Sequence, residues 1–479
     1  MSLYPSCDAI VVGSGPNGLA AAITLQQQGV KVLLLEAKDA VGGGMRTAEL
    51  TLPGFLHDVC SAVHPMGAVS PFLRSLPLHA FGLEYIHPEV LAAHPLEDGT
   101  AGILCKSLDD TVSALGVDGT VYRSLFEPLV KDWSRIESHI LGPMLKIPSH
   151  PMDLLGFGLK SLQSGKQIAE RFRTKEARAL WAGMVAHSMI PLDHLTSSAI
   201  GFVLTIAGHR SGWPVVKGGS QQKANAMVSY FELLGGTVRT ATEVRTLRDL
   251  PEAKAVLFDV SPRQLLRICG ERLSPLYRWQ LKRHRYGMGV FKVDWALNEP
   301  VPFKAAMARK AGTVHLGGSF EEIARSERQV WQGRHPDMPF VLFSQQSIVD
   351  GSRAPQGKHT GWAYCHVPNG STRDMTEAIT RQVERFAPGF RDTILGTHTM
   401  HTGEMETYNP NYIGGDINGG VINIVQLFNR PALRFSPYRT SAKGVYICSA
   451  STPPGGGVHG MGGYYAARQA LRDVFDIKL

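Results

Sequence analysis

The stretch that most constrains the fold lies near the start of the chain, where a short apolar run meets a glycine-rich turn. Ala9–Val12 reads AIVV, the composition of a strand that is buried on both faces. It leads directly into Gly13, Ser14, Gly15, Pro16, Asn17 and Gly18, which form a G-x-G-x-x-G. A run of good helix formers follows from Leu19 to Gln28, and a second apolar run covers Lys31–Leu35. The order strand, glycine turn, helix, strand predicts an α/β fold with a doubly wound sheet.

Each part of this turn has a physical reason in a dinucleotide site. Gly13 allows the tight turn, Gly15 lets the backbone approach a pyrophosphate, and Gly18 lets the helix pack closely on the strand. The helix N-terminus offers free N–H groups and a partial positive charge to the phosphates. Glu36 ends the second strand, 18 residues beyond Gly18. An acidic side chain at that spacing accepts hydrogen bonds from ribose hydroxyls, with Ala37 beside it.

A second glycine turn follows within a few residues, where 41–47 read VGGGMRT. A nicotinamide site has no need of this turn. Flavoproteins of the amine oxidase and phytoene desaturase superfamily carry G-G-R-x-x-T there, and the chain resembles them at Gly42, Gly43 and Thr47. Gly44 stands where that superfamily usually has arginine, so the resemblance implies that Arg46 supplies the cation to the diphosphate of FAD. The alternative is a flexible surface loop with an incidental arginine.

Composition excludes several classes of protein. A chain of 479 residues is longer than one compact core usually holds, so we expect two domains. The net charge of +8 favours anionic surfaces, including membrane headgroups, but no basic run is interleaved with aromatic residues, which argues against nucleic acid. We find no signal peptide, no apolar run of about 20 residues and no metal-ligand spacing. The six cysteines are scattered, as in a reducing compartment. These features predict a cytoplasmic protein, with membrane association as an alternative.

Strand–turn–helix patterns return twice further along the chain. The letters WPVVKGGS at 213–220 precede a predicted helix, and the strand Gly444–Cys448 precedes a glycine-rich turn and a helix that starts at Tyr464. We therefore predict a discontinuous nucleotide-binding domain made of residues 1–71, 210–270 and 421–479. The remaining residues would form a second domain, with a mostly helical part at 72–209 and a sheet part at 271–420.

Three stretches together resemble one family. They are DAIVVGSGPNGLAAA with VGGGMRT, WPVVKGGSQQKANAMVSYFELLGGTVRTATEV, and VQLFNRPALRFSPYRTSAKGVYICSASTPPGGGVHGMGGYYAA. The chain resembles the phytoene desaturase-related FAD oxidoreductases, most of all the branch of pyridine nucleotide-disulfide oxidoreductase domain-containing protein 2. The resemblance implies a two-domain flavoprotein fold like that of p-hydroxybenzoate hydroxylase, with a Rossmann-like FAD domain and a mixed-sheet and helical substrate domain.

The resemblance also implies which residues bind FAD. They are Gly13, Ser14, Gly15, Pro16, Asn17, Gly18, Glu36, Ala37, Gly43, Gly44, Arg46, Val244, Gly457 and Val458. In related proteins the backbone at the position of Val244 contacts the adenine. His459 and then His64 are the candidate catalytic proton carriers, because histidine titrates near neutral pH. Pro453 and the stretch GGDINGG at 414–420 depart from the family pattern close to where the substrate would meet the flavin.

The function predicted from this resemblance is hydride transfer from a small hydrophobic substrate, such as a polyene, isoprenoid or lipid, to flavin N5. No second G-x-G-x-x-G follows a strand, so oxygen or a quinone would reoxidise the flavin. An amine oxidase, a redox-neutral polyene isomerase and a non-catalytic flavin-binding scaffold stay open as alternatives. The amphipathic stretch Leu154–Phe172 is either a membrane-surface helix or a packed helix with a solvated basic face.

Overall fold

Two sheets and the helices around them organise the chain, and we describe residues 6–143 and 149–478 of a computed structural model. The strands are β1 (Ala9–Val12), β2 (Val32–Leu35), β3 (Thr47–Glu49), β4 (Leu56–Asp58), β5 (Tyr85–Ile86), β6 (Val90–Pro95), β7 (Ala101–Leu104), β8 (Val215–Val216), β9 (Thr237–Arg239), β10 (Ala255–Phe258), β11 (Gly289–Leu297), β12 (Ala311–Leu316), β13 (Val341–Ser344), β14 (His359–Val367), β15 (Ile394–Met400) and β16 (Val445–Ile447). The helices are α1 (Pro16–Gln26), α2 (Pro65–Val69), α3 (Pro71–Arg74), α4 (Leu108–Ala114), α5 (Gly119–Lys131), α6 (Trp133–Ile140), α7 (Pro151–Ser161), α8 (Gly165–Ala169), α9 (Lys175–Ala186), α10 (Ser197–Ser211), α11 (Gln221–Leu233), α12 (Pro262–Cys269), α13 (Pro275–Lys282), α14 (Ala306–Arg309), α15 (Phe320–Trp331), α16 (Thr376–Phe386), α17 (Thr402–Tyr408), α18 (Ile424–Asn429) and α19 (Met461–Val474).

The first sheet is parallel, with strand order β16-β10-β1-β2-β9. Every residue of β1 and β2 is buried, as the unbroken apolar letters predict for strands with both faces covered. Val12 lies opposite Leu35 on one side and Phe258 on the other, so the loops that follow these strands leave the same edge of the sheet. In open parallel sheets ligands bind at this edge. The α/β class predicted from the sequence is confirmed.

The second sheet has seven strands in the order β15-β11-β14-β13-β12-β6-β7. Its pairs are antiparallel except for β6 and β12, which run parallel. The sequence predicted a mostly helical region at 72–209, yet that region supplies β6 and β7 to this sheet. The reason is that β6 is buried along its whole length, so its letters VLAAHP show no alternation of apolar and polar residues.

A buried arginine in the loop between two strands of the second sheet contacts β4 and β8. Arg353 lies between β13 and β14 and has no exposed surface. Its guanidinium donates to Asp58 Oδ2 at 3.0 Å, to Asp350 Oδ2 at 2.9 Å and to the Val216 carbonyl at 3.0 Å. Asp58, at the end of β4, also accepts the Ser220 N–H at 2.8 Å. One cation therefore holds together the loop before β14, the end of β4 and the stretch from Val216 to Ser220.

Replacing Arg353 with methionine should lower the free energy of unfolding by about 3 kcal/mol, because it leaves two buried carboxylates without their cation. Urea denaturation at pH 7, followed by tryptophan fluorescence, measures the change. The matched control is Arg245→Met, whose side chain is 75% exposed and pairs only with Glu243. There we expect a change below about 0.5 kcal/mol. Equal stability of the two variants would contradict a clamping role for Arg353.

Candidate functional site

A cavity of about 540 Å³ opens at the carboxyl edge of the parallel sheet and reaches the second sheet. Its volume lies within the range of small-molecule and cofactor sites. One end is lined by the first glycine turn from Gly13 to Asn17, by Glu36 and Ala37 after β2, and by Val244. The other end is lined by side chains of β11 to β14. The cavity thus connects the predicted nucleotide site with the sheet of the second domain.

The glycines of the two N-terminal turns lie where side chains would not fit. A Cβ added to Gly15 would lie 2.6 Å from a carboxylate oxygen of Asp259, and one added to Gly18 would overlap the Gly13 carbonyl. A Cβ on Gly43 would lie 2.9 Å from the Gly15 Cα, so the two turns contact each other through backbone. The N–H groups of Gly15 and Asn17 donate to no backbone carbonyl in the described ranges. These donors suit a pyrophosphate at the start of α1.

Glu36 is buried at the end of β2 and holds the surrounding loops. It accepts hydrogen bonds from the Ser14 N–H at 3.0 Å and the Ser14 hydroxyl at 2.5 Å. It also accepts from the Lys38 N–H at 2.9 Å and from the Arg46 guanidinium at 3.2 Å. The sequence predicts that Arg46 meets a diphosphate, and here Arg46 pairs with Glu36 and lies over the Tyr408 ring. Both groups line the cavity, within reach of a nucleotide.

The C-terminal glycine turn closes the cavity from the opposite side of α1. Gly457 and Val458 line it, with φ angles of 129° and 57°. Their N–H groups donate to no backbone carbonyl among the described residues. The Gly463 N–H donates to Asn17 Oδ1 at 3.3 Å, which brings the two predicted turns together. The cavity can therefore hold a dinucleotide whose two ends both carry hydrogen-bond acceptors.

One acidic residue of this site was not recognised from the sequence. Asp259 directly follows β10, and its Oδ2 accepts the Gly18 N–H at 2.8 Å. Burial raises the pKa of Asp259 to about 7, the Gly18 bond lowers it, and the charge of Glu36 raises it further. The letters AVLFD showed an acid at the end of a buried strand, but not that the strand lies beside the glycine turn.

The far end of the cavity is an apolar chamber. The second sheet contributes Val290, Thr313, Leu342, Trp362 and Tyr364, and Leu204 of α10 lines it together with Met189 and Trp213, which lie on either side of α10 in the chain. Trp362 and Tyr364 form an edge-to-face pair with ring centroids 5.4 Å apart. No aromatic pair could be identified from the sequence, because two residues of one strand are recognised as neighbours only when the strand's inner face is known.

A lysine and a histidine also line this chamber. Lys292 forms a buried ion pair with Asp294, and its ammonium lies 5.7 Å from the centre of the Trp362 ring. His187 follows α9, and its Nε2 lies 3.0 Å from Nε2 of His315 on β12, so one of these two nitrogens donates to the other. Burial and the nearby His366 lower the pKa of His187 to about 3, which keeps its ring neutral at pH 7.

The two histidines proposed from the sequence lie elsewhere. His64 is buried before α2 with its Nε2 2.8 Å from the Ser220 hydroxyl. His459 is buried before α19, and its Nδ1 accepts the Met461 N–H at 3.0 Å. Neither side chain is part of the cavity wall. A catalytic role for either stays a prediction. Within residues 6–143 and 149–478 there is no cluster of three or more metal-ligating side chains.

Comparisons with known proteins agree with this geometry. Residues 11–76 match the family described as NAD(P)-binding Rossmann-like domain. One of the subunits of limonene dehydrogenase from Castellaniella defragrans is 24% identical, over 99% of this chain and 96% of that protein. Pyridine nucleotide-disulfide oxidoreductase domain-containing protein 2 of Mus musculus is also 24% identical, over 98% and 94%. Phytoene desaturase (lycopene-forming) of a Paracoccus species is 22% identical, over 95% of both.

Solved structures share the fold over nearly the whole chain. An oxidoreductase from Methanosarcina mazei superposes with a TM-score of 0.63 at 16% identity, covering 96% of this chain and 100% of that one. A redesigned putrescine oxidase gives a TM-score of 0.63 at 19% identity, covering 98% and 99%. At such identities the likeness concerns the fold alone. With the sequence relatives, it confirms the two-domain flavoprotein-like architecture and the resemblance to phytoene desaturase-like oxidoreductases.

Proposed function

We propose that this chain, an oxidoreductase related to the phytoene desaturases, uses FAD to dehydrogenate a neutral hydrophobic substrate. The observation that carries the proposal is the continuous cavity, which joins two glycine turns at one end to an apolar chamber at the other. A dehydrogenase of this kind needs both parts in one space, because the substrate carbon must reach the redox group directly.

Two features favour FAD over a nicotinamide nucleotide, and a third suits either one. The backbone contact between Gly43 and Gly15 forms a second close approach beside the first turn. The unpaired N–H groups of Gly457 and Val458 suit the oxygens of a flavin ring or its ribityl chain. Glu36 suits the ribose hydroxyls. When bound, FAD supplies a hydride acceptor at N5, and the protein supplies orientation and a water-poor chamber.

The chamber favours a neutral isoprenoid or other lipid-like substrate. Its wall is mainly apolar, and the acidic residues that line the cavity (Glu36, Glu243 and Asp259) all lie at the nucleotide end. A protonated amine would therefore meet no lining carboxylate beside the substrate, and the nearby Asp294 is already neutralised by Lys292. Two relatives are named for isoprenoid hydrocarbons, limonene and phytoene. The Trp362–Tyr364 pair is the observation that favours an amine oxidase as the second candidate.

Dehydrogenation removes a hydride and a proton from adjacent atoms of the substrate, and the proton needs a base. His187 is the side chain of the chamber wall that we assign to this task, because its ring is neutral at pH 7 and is hydrogen-bonded to His315. When one ring nitrogen of His187 takes the proton, the other would donate a hydrogen bond to Nε2 of His315. This bond would stabilise the protonated His187 ring.

The test is anaerobic absorbance of the purified, FAD-containing protein during titration with polyenes, monoterpenes, acyl lipids and primary amines. We expect loss of the characteristic visible absorbance of oxidised flavin with a hydrophobic alkene and no change with amines. Readmission of oxygen, or addition of a quinone, then identifies the acceptor. Bleaching by amines with release of ammonia would replace the proposal with an amine oxidase. Isomerised product without bleaching would favour the isomerase. Protein that binds no FAD would contradict the dehydrogenase, the amine oxidase and the isomerase alike.

We also propose that helix α7 contacts an anionic membrane surface from which such a substrate enters. Met152, Leu155 and Leu159 point into solvent, with 74%, 51% and 59% of their surface exposed. Their spacing forms one stripe of the helix, and the basic residues Lys166 and Arg171 follow closely. Within the described ranges no helix has the length and apolar character that crossing a bilayer requires.

Substituting Leu155 and Leu159 together by aspartate should release the protein from vesicles of phosphatidylglycerol, because it places charge in the stripe. Co-sedimentation measures the bound fraction, which we expect to fall at least tenfold, since burial of each leucine contributes about 1.5 kcal/mol or more. The matched control is Leu233→Asp on α11, which is 72% exposed on another helix and should bind like the unmodified chain. Wild-type protein that stays in the supernatant would contradict membrane contact.

A further inference from the structure

A buried lysine lies directly behind the C-terminal glycine turn. Lys223, on α11, has no exposed surface. Its Nζ donates to the Val458 carbonyl at 3.0 Å and lies 6.0 Å from the centre of the Tyr85 ring. Among the described residues it forms no ion pair with a carboxylate, whereas the buried cations Lys292 and Arg353 do, and the buried Arg430 donates to three backbone carbonyls. A buried ammonium without a counter-ion is costly, so its presence calls for a functional reason.

The titratable groups that face Lys223 offer no negative charge. They are His64 before α2, Tyr85 on β5 and His459 beside the turn. Burial, with the charge of Lys223 next, holds the pKa of His64 well below its usual value and lowers that of His459 to about 4. Burial also raises the pKa of Tyr85, so its hydroxyl stays protonated. The same burial lowers the pKa of Lys223 to about 7. Lys223 is therefore the group of this cluster that changes charge near neutral pH.

The residue that Lys223 holds has an unusual backbone. Val458 is β-branched and has a φ of 57°, in the left-handed region that such residues rarely occupy. The bond from Lys223 fixes the Val458 carbonyl on the side of the turn that faces α11. On its other side the turn lines the cavity, with the N–H groups of Gly457 and Val458 free of backbone partners. One side chain thus stabilises the shape of the turn and gives it a positive charge.

We propose that Lys223 is a positioning residue that raises the reduction potential of the bound flavin through the Val458 turn. This inference rests on the proposed use of FAD. Two-electron reduction of a flavin ring takes up two electrons and one proton, which leaves one negative charge on the ring. The ammonium of Lys223 attracts that charge and so favours the reduced state. In return, the new charge raises the proton affinity of Lys223, so the fraction of Lys223 that is unprotonated near neutral pH takes up a proton from solvent.

The experiment is a potentiometric titration of the holoprotein with dithionite and reference dyes between pH 6 and pH 9. We expect Lys223→Met to lower the equilibrium constant for reduction at least tenfold at pH 6, a shift of about 30 mV for a two-electron couple. At pH 9 the two proteins should agree. Between pH 7 and pH 8 the wild-type slope should correspond to about one and a half protons per two electrons, and that of Lys223→Met to one. Lys223→Arg should keep a high potential at both pH values, because arginine stays charged.

Lys217→Met serves as the control, since Lys217 is exposed and pairs with Glu84. Its potential should match the wild type at every pH. If Lys223→Met does not fold, the Lys223→Arg titration still decides, because a wild-type pH slope in that variant would overturn the inference. A merely structural lysine predicts a less stable Lys223→Met apoprotein with an unchanged potential. We expect instead a lowered potential and an apoprotein about as stable as the wild type, because the lost hydrogen bond to Val458 is offset by removal of a group that folding partly deprotonates at pH 7. Wild-type protein without FAD would instead contradict the proposed function.

Discussion

Replacing Gly15 with alanine should give a folded protein that fails to retain FAD, the cofactor proposed above. The added Cβ would lie 2.6 Å from a carboxylate oxygen of Asp259 and would cover the backbone at the start of α1. A pyrophosphate displaced from the N–H groups of Gly15 and Asn17 loses two charge-assisted hydrogen bonds of about 2 kcal/mol each. Together they correspond to about a thousandfold weaker binding. Fluorescence titration of the apoprotein with FAD measures the dissociation constant.

Two further variants separate the causes. Gly158→Ala on α7 is the matched control, because its Cβ would meet nothing within 4 Å, and its FAD affinity should be unchanged. The double variant Gly15→Ala with Asp259→Ala removes the clash inside the protein but keeps the methyl group on the phosphate side. We expect it to bind FAD as poorly as Gly15→Ala alone. Recovery of binding would show that Gly15 matters only for its contact with Asp259.

Replacing His187 with glutamine should lower kcat about a thousandfold, while the FAD content and KM stay close to those of the wild type. Loss of a general base typically costs a factor of about 10² to 10⁴, and glutamine keeps a polar group of similar size beside His315. Stopped-flow reduction of the bound flavin by the substrate isolates this step. Because burial lowers the pKa of His187 to about 3, the group is already neutral at pH 5. The wild-type rate should therefore fall only as the pH approaches 3, where protonation removes the base.

His79→Gln is the control for this experiment, because His79 is exposed and lies outside the cavity wall. Its kcat should not change. The alternative proton carriers are tested in parallel with His64→Ala and His459→Ala. A full rate in His187→Gln together with a large loss in either alanine variant would return the catalytic role to the residue first suggested by the sequence.

The part of the fold that the sequence could predict is the part built from local contacts. The first strand, turn and helix are read from neighbouring letters, because glycine spacing and helix formers act within about twenty residues. Strand β6 depends instead on pairing with β12, in which Val90 lies opposite Ala311. Asp259 was visible as a letter, but its contact with Gly18 spans 241 residues of chain. Contacts of this kind become evident only once the sheets are assembled.

The same limit applies to the apolar chamber. His187 follows a helix that is buried on nearly all sides, so no periodic pattern marks the face that meets the cavity. Lys292 lies in a strand whose nine residues are all buried, and no pattern in the neighbouring letters indicates an ion pair there. His187 and Lys292 were identified only because both line the cavity in the structure. The glycine turns of the proposed cofactor site can be recognised from their sequence motifs alone. The residues of the apolar chamber cannot, because they come together only when separate elements pack.

The contact between Asn17 and Gly463 joins residues that are 446 positions apart. During translation the first glycine turn leaves the ribosome long before the turn that completes its pocket. At roughly 5–20 residues per second the delay is about 20 to 90 s. Throughout that time the nascent βαβ unit lacks α19 and the strand beside β10, and its apolar faces are open to chaperones and proteases. Assembly of the pocket is thus expected only after α19 has left the ribosome, and the supply of the proposed cofactor would influence how much newly made protein survives.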